Sequence, residues 1–224
     1  LHLKDQAYAR KKIRAMLADL KGAPRAQLVE TLGHQIEHQY TAEVDPLVHD
    51  KDAETAVNAA RTLCIWGKAG EARARVLVLL NDPDSAVRAR GLHIIGKWDL
   101  RYKDEIPWQD VVALLSDKEK EVRLEAVKAF RGPDDSAKHL AALAKKLEDP
   151  DEEVRSLALE MMLRFSAGTN MAAVQAMRMM DNADPALRLT AIRILAESGG
   201  ELPILKLTEA LEDGDVRIQE QALR

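Results

Sequence analysis

One short pattern recurs along the chain and constrains the fold more than any other feature. It is clearest at 147–159, where Leu-Glu-Asp-Pro-Asp-Glu-Glu-Val-Arg places an acidic turn before a Val-Arg step. The other copies begin at Leu47, Leu80, Leu115, Met180 and Leu211. With one apolar anchor per copy, the spacings are 30, 35, 32, 33 and 29 residues, for Val57, Val87, Val122, Val154, Leu187 and Val216. Such a period predicts a repeat array, in which each unit packs mainly on its neighbours.

Each copy lies between two segments with helical periodicity, which we call the A and B helices of a pair. In the B helices, apolar residues fall at positions 0, +4, +7, +8 and +11 from the anchor, which is one face of a helix. The predicted helices are 3–20, 24–39, 43–49 and 53–67, followed by the pairs 70–81 with 84–97, 107–116 with 119–130, 135–148 with 151–165, 170–181 with 184–198, and 201–212 with 214–224. We therefore predict an all-α, right-handed α-solenoid of helical hairpins, with 1–40 as a divergent N-terminal repeat or cap and 41–224 as the array.

Composition limits the classes of function that the sequence can support. The 33 basic and 37 acidic residues leave a net charge of −4, which argues against a broad nucleic-acid surface. No apolar run approaches the length of a membrane span. A single cysteine excludes an internal disulfide framework and suits a reducing, cytoplasmic compartment. The chain begins without methionine and stops at Arg224 inside a predicted B helix, so we expect it to be part of a longer protein, truncated at its C-terminus.

The repeated Leu-x-Asp-x-(Asp/Glu)-x-x-Val-Arg-x-x-Ala pattern resembles HEAT repeats, most closely the bacterial type named after phycobilisome lyases, over about 44–224. The resemblance implies a structural ladder between neighbouring repeats, made by the turn acid and the B-helix arginine. The candidate residues are Asp82 with Arg88, Asp117 with Arg123, Asp149 with Arg155, then Arg188 after Asn182, and Arg217 after Asp213. Such repeats occur in scaffolds and also in lyases, hydroxylases and glycosylases, so the fold does not carry the activity.

Charged residues at positions +3, +6 and +10 of the B helices lie opposite the predicted core face. Stacked B helices would align them into one stripe, on the side that is concave in solenoids of this kind. The candidate partner-binding residues are Arg90, His93, Lys97, Glu125, Lys128, Glu160, Arg164, Arg193 and Glu197. We therefore predict a non-catalytic protein–protein interaction or scaffolding module, with another protein as partner and no cofactor. The sequence does not fix the oligomeric state.

Two alternatives come from other classes. Residues 4–25 carry an excess of basic side chains, which would suit a regulatory domain of a membrane protein, lying on anionic lipid. His34, Glu37 and His38 spell H-x-x-E-H, an inverted zinc-protease motif whose histidines are four residues apart, although exposed histidines near a helix end are the favoured interpretation. The 98–110 stretch, with Trp98, Tyr102 and Trp108, is either a binding loop or, as we favour, a segment folded back on neighbouring repeats.

Overall fold

The computed structural model describes residues 2–35, 40–130, 137–164, 166–198 and 201–223, and every regular element within these ranges is helical. The chain divides into two compact units, residues 1–114 and 115–224. The first unit contains α1 (His2–Asp19), α2 (Ala23–Gln35), α3 (Thr41–Val44), α4 (Ala53–Ile65), α5 (Ala69–Leu80), α6 (Ser85–Gly96) and α7 (Trp108–Leu114), with 3₁₀ turns at Asp45–His49 and Leu100–Glu105. The second contains α8 (Lys120–Ala129), α9 (Ala137–Ala144), α10 (Glu152–Leu163), α11 (Ser166–Met179), α12 (Pro185–Ser198), α13 (Glu201–Ala210) and α14 (Val216–Ala222), with a 3₁₀ turn at Lys145–Glu148. The all-α fold predicted from the sequence is confirmed.

The even-numbered helices are the B helices of the prediction, and within each unit they pack on one another in chain order. In the first unit α2 packs on α4 and α4 on α6, while in the second α8, α10, α12 and α14 follow in the same way. Within each unit the odd-numbered helices also pack on one another, since α5 contacts α7 in the first unit and α11 contacts both α9 and α13 in the second. Within a unit, neighbouring hairpins thus complete one another's core, as in other α-solenoids.

The apolar face predicted for the B helices is the buried face. In α6 and just beyond its end, Ile94, Ile95 and Trp98 are no more than 4% exposed. In α10, Val154 and Met162 are fully buried. Because these side chains recur at helical spacing, each B helix can rotate little about its axis without exposing them, so the residues on its opposite face are also held in a fixed orientation.

The anchor predicted for α14 is wrong. Val216 is 62% exposed, whereas Ile218, two residues later, is fully buried against Ile192 and Ala210. The cause is local, because Asp215 is the N-cap of α14 and its carboxylate accepts the backbone N–H of Arg217. The last copy of the pattern therefore begins its helix two residues later than the Val-Arg step suggests.

At Gly91, α6 packs tightly on the end of α5. A methyl group at this position would lie 2.9 Å from Cβ of Leu79 and 3.0 Å from Cδ2 of Leu80. Gly91→Ala should therefore destabilise the protein, because an overpacking penalty of about 1–3 kcal/mol exceeds the gain of about 1 kcal/mol in helix propensity. We expect a lower urea midpoint, measured by circular dichroism.

Gly70→Ala is the matched control, since this glycine lies in α5 and a methyl group there meets no atom within 4 Å. Only the propensity gain remains, so the urea midpoint should stay the same or rise. A Gly91→Ala protein as stable as the Gly70→Ala protein would contradict the close packing of α5 on α6.

Candidate functional site

The B helices from α4 to α14 are all preceded by a turn of the same geometry. A carboxylate or amide oxygen accepts the backbone N–H two residues later, at 2.8–3.1 Å, and the donor is the residue immediately before the helix. The accepting residues are Asp50, Asp82, Asp117, Asp149, Asn182 and Asp213. This is an Asx turn, and it explains why the repeated pattern needs Asp or Asn at this point.

Arginines near the start of four B helices make further hydrogen bonds to these turns. Each donates from Nη1 to two backbone carbonyls, five and six residues earlier, at 2.9–3.2 Å. We call these residues, Arg88, Arg123, Arg155 and Arg188, the ladder arginines. The structure corrects the ladder pairs that we expected six residues apart. In each of the three acidic pairs, the arginine bonds the backbone carbonyl of Asp82, Asp117 or Asp149 and not its carboxylate.

The carboxylate partner comes from the turn of the next hairpin. Nε and Nη2 of Arg123 donate to the carboxylate of Asp149 at 3.0–3.3 Å, and both side chains are nearly buried. Arg188 binds Asp213 in the same way at 2.8 and 2.9 Å. The hydrogen bond from Arg188 holds the pKa of the Asp213 carboxyl below its usual value. This pair therefore stabilises the folded state above the usual Asp range, and the contribution is lost as the pH falls through the lowered pKa.

The turn geometry also corrects the first and last steps of the ladder. Arg217 binds the carboxylate of its own N-cap, Asp215, and the ladder position of α14 is held by Gln219, whose Nε2 donates to the carbonyl of Asp213 at 2.7 Å. In α4 the corresponding place, four residues after the N-cap Asp52, is Ala56. The sequence pattern misplaced both steps, because it puts the ladder residue directly after the apolar anchor, at Asn58 and Arg217, and not four residues after the capping residue.

Arg25 belongs to the same system and was missed. It lies near the start of α2, and its Nη2 is 2.9 Å from the carboxylate of Asp50, in the turn that precedes α4. The turn before α2 is Leu20-Lys21-Gly22, so a search for an acidic turn cannot find it. The spacing could have found it, since Arg25 and Asp50 are 25 residues apart, as are Arg188 and Asp213. The α1–α2 hairpin is therefore joined to the next one by a carboxylate–guanidinium bond.

Arg155 is the one ladder arginine of the second unit that does not bind a carboxylate of the next turn in the described residues. The next turn carries Asn182 at the position of Asp149 and Asp213, so the turn offers an amide in place of a carboxylate. Nε of Arg155 donates instead to the Thr190 hydroxyl at 3.2 Å. Arg155 is only 5% exposed, and no carboxylate of the described residues bonds to it.

A cavity of about 240 Å³ lies beside Arg155, between α10, α12 and α14. Arg193 of α12 also lines it and donates from Nη2 to the Ser156 hydroxyl at 2.9 Å. Its Nε is buried and has no hydrogen-bond partner among the described residues. Two guanidinium groups thus border one small cavity, and the nearest acid in its lining is the exposed Glu152.

The candidate stripe residues lie on B helices of both units. In the first unit Lys97 is exposed, while Arg90 and His93 are half-buried, and Nε of Arg90 has no partner among the described residues. In the second unit Lys128 donates to Glu125 at 2.7 Å and Arg164 to Glu160 at 2.9 Å. Arg193 is half-buried at the cavity, and Glu197 is exposed.

The basic N-terminal segment is partly neutralised. Arg10 and Arg14 both donate to the Glu43 carboxylate, at 2.9 and 2.6 Å. Burial acts to raise the pKa of Glu43, but these hydrogen bonds outweigh it and keep the pKa below its usual value. In the described part of the chain, no helix has both the length and the hydrophobicity to cross a membrane.

The remaining candidates divide between core and surface. His34 is exposed in the last turn of α2, whereas Glu37 and His38 lie outside the described residues. No group of three metal-ligating side chains occurs in the ranges that the structure describes. Trp98 is 4% exposed and donates its indole N–H to the carbonyl of Tyr102, so this aromatic folds inward, as we expected.

Comparison with known proteins places this architecture in a family. A family model described as HEAT repeats matches residues 73–162 and 140–224. The chain belongs to the HEAT-repeat family. The resemblance inferred from the sequence is thereby confirmed, and the HEAT fold is typical of protein-interaction scaffolds. No curated protein matches the chain.

Three solved structures are similar to the chain, and the first of them, with a TM-score of 0.53, supports the fold. An engineered protein superposes with a TM-score of 0.53 at 17% identity, covering 94% of this chain and 65% of that one. A HEAT-like repeats protein from Thermococcus onnurineus NA1 gives 0.48 at 12% identity, covering 95% and 94%. A designed armadillo repeat protein in complex with the peptide (KR)4 gives 0.47 at 17% identity, covering 88% and 96%. At these identities the likeness concerns the fold alone.

The cross-hairpin bond can be tested at Asp149. Asp149→Asn would leave the buried Arg123 with no carboxylate, and breaking such a pair should cost about 3 kcal/mol of folding free energy. Arg164→Gln is the control, because it breaks an exposed pair with Glu160 worth no more than about 0.5 kcal/mol. Chemical denaturation of both variants checks the difference. Equal and small losses would show that the Arg123–Asp149 bond contributes little.

Cys64 should be inert in the folded protein. Its side chain is buried, and burial together with the charges of Asp99 and Glu105 raises the thiol pKa to about 12. Because only the thiolate reacts, iodoacetamide at pH 8 should modify Cys64 slowly in buffer and rapidly in urea, as followed by mass spectrometry. Equal rates in the two conditions would contradict the buried position.

Proposed function

We propose that the chain is a non-catalytic protein-binding module, which presents the exposed polar face of its B helices to another protein. The observation that carries this proposal is the pairing of two features on the same helices. The apolar faces are buried, and three steps between neighbouring B helices, α2 to α4, α8 to α10 and α12 to α14, are joined by carboxylate–guanidinium bonds. Side chains on the opposite face therefore project from a scaffold that cannot easily rotate or separate.

Rigid presentation matters for affinity because binding otherwise costs conformational entropy. Each loop or long side chain that must become ordered on binding reduces the net free energy of association. In this chain Lys128 lies within α8, and Lys97 and Arg164 are the C-cap residues of α6 and α10, so all three are held by helices before any partner arrives. Only the side chains themselves need to be immobilised, which favours a preformed surface over a surface that folds on binding.

The charges of this face are arranged differently in the two units. Lys97 in the first unit and Glu197 in the second are exposed, and neither has an ion-pair partner among the described residues. The pairs Lys128–Glu125 and Arg164–Glu160 lie within single helices and are at least partly exposed. Exposed pairs of this kind contribute little to stability and can exchange partners at low cost, so both signs of charge are available to a bound protein.

We place the module in the cytoplasm, since its one cysteine is a buried free thiol and suits a reducing compartment. The membrane-bound alternative is weakened at Arg10 and Arg14, because Glu43 already engages these two of the basic side chains that anionic lipid would bind. The metal-dependent enzyme alternative has no group of three metal-ligating side chains to support it within the described residues.

The proposal predicts that reversing the charges on the B-helix face abolishes partner binding. The test variant combines Lys97→Glu, Lys128→Glu and Arg164→Glu, all at exposed positions on B helices or their ends. The expected loss is at least about tenfold in affinity, since like charges replace complementary ones across the interface. The immobilised chain first selects a partner from native lysate, and calorimetry with the purified partner then measures the affinity.

The matched control combines Arg73→Glu, Lys103→Glu and Lys145→Glu, which change the net charge equally at exposed positions away from the B helices. It should bind the partner as the unmodified chain does. Circular dichroism and thermal melts must show both triple variants to be folded. An equal loss of affinity in the two variants, or no loss in either, would refute a binding surface on the B helices.

A further inference from the structure

The break in the ladder leaves one buried positive charge without a carboxylate. Arg123 and Arg188 each bind the acid of the following turn, at Asp149 and Asp213. Arg155 meets Asn182 at the equivalent step, and within the described residues its hydrogen bonds go only to neutral oxygens, two carbonyls and the Thr190 hydroxyl. A buried cation surrounded by neutral acceptors is compensated less well than one that faces a carboxylate.

The cavity beside Arg155 offers donors that the fold does not use. Arg193 lines it, and its Nε is buried beneath the wall with no hydrogen-bond partner among the described residues. Gln221 forms a third part of the wall. The Thr190 hydroxyl is already committed, because it accepts from Arg155 and donates to the carbonyl of Ala186 at 2.9 Å. The available groups are therefore donors of positive or neutral type, which select an anion.

Size and charge point to a single carboxylate. The volume of about 240 Å³ exceeds that of one water molecule, about 30 Å³, several times over, so it can hold a carboxylate with its methylene groups. Leu189 and Ala186 supply an apolar wall for such a chain. Glu152 at the rim adds a negative charge, which disfavours a doubly charged phosphate more than a singly charged carboxylate.

We propose that this cavity binds one carboxylate group of the partner protein, between Arg155 and Arg193. The proposal rests on the protein-binding function and names the chemistry that the second unit recognises. The carboxylate of the partner takes the electrostatic role that Asp149 and Asp213 play for Arg123 and Arg188. It is either an acidic side chain or a chain terminus, and both present the same planar pair of oxygens.

The test uses the whole chain and two tripeptides as probes. Acetyl-Ala-Glu-Ala-amide carries only a side-chain carboxylate, and acetyl-Ala-Ala-Ala with a free C-terminus carries only a terminal one. Each is titrated at constant ionic strength while the Nε–H signals of arginine are followed by NMR, with chloride as the reference anion. We expect saturable shifts of the Arg155 and Arg193 signals with at least one peptide, and no saturable shift with chloride.

Two variants examine the site from opposite directions. Arg193→Gln removes a donor. Asn182→Asp supplies an internal carboxylate at the turn position from which, in other repeats, Asp149 and Asp213 bind the arginine of the preceding B helix. Each should weaken peptide binding at least about tenfold, the usual scale for one charge-assisted contact. Asn182→Asp should also raise the urea midpoint, which excludes misfolding as the cause. Arg178→Gln, at an exposed arginine of α11, is the control and should leave binding unchanged.

The outcomes separate the carboxylate site from the proposed protein-binding surface on the B helices. Binding of either peptide that is lost in both variants supports the cavity, and the peptide that binds identifies the source of the carboxylate. Shifts that do not saturate, shifts equal to those with chloride, or affinities unchanged in both variants would overturn it. Such a failure leaves the charge-reversal result on the B helices unaffected, because none of its three positions lines the cavity.

Discussion

The architecture depends on how one arginine side chain satisfies two turns at once. Nη1 of each ladder arginine bonds two carbonyls of its own turn, and in Arg123 and Arg188 the other edge of the guanidinium binds the carboxylate of the next turn. Only a planar group with several fixed donors can do both, so lysine could not replace it. The carboxylates that these arginines bind, those of Asp149 and Asp213, each accept a backbone N–H within their own turn as well. A single carboxylate therefore couples the closure of its turn to the stacking of the hairpins.

The fold could be predicted because its signals are local and periodic. The spacing of Val122 and Val154, the acidic turns and the apolar face of α10 follow from short-range sequence, and the structure agrees with them. The errors also have local causes. Val216 and Arg217 imitate the Val-Arg step, but the capping residue Asp215 sets the true phase and makes Ile218 the buried residue. Capping geometry is therefore a better guide to register in these repeats than the apolar anchor.

The candidate site could be predicted only in part, because it depends on contacts between residues far apart in the chain. Periodicity identified Arg193 as a surface position of α12, yet it could not show that Arg193 lies beside Arg155, 38 residues earlier, at one cavity. The resemblance to HEAT repeats implied that Arg155 would pair with Asp149, six residues earlier. The pairing in fact runs forward to the next turn, so the replacement that matters is Asn182, a residue that is unremarkable within its own repeat.

A repeat array gives such a replacement its meaning. In a protein without repeats, an arginine bonded to neutral oxygens could not be compared with equivalent positions. Here Arg123 and Arg188 show that an arginine at this position binds the carboxylate of the next turn when that turn carries an acid. Asn182 keeps the Asx turn, because its amide oxygen still accepts the N–H of Asp184 at 2.9 Å, and it gives up only the charge. The substitution thus preserves the geometry of the hairpin while it leaves Arg155 electrostatically unsatisfied beside an open cavity. Loss of stabilisation at one step, without loss of shape, is what a binding site on a stacked scaffold requires.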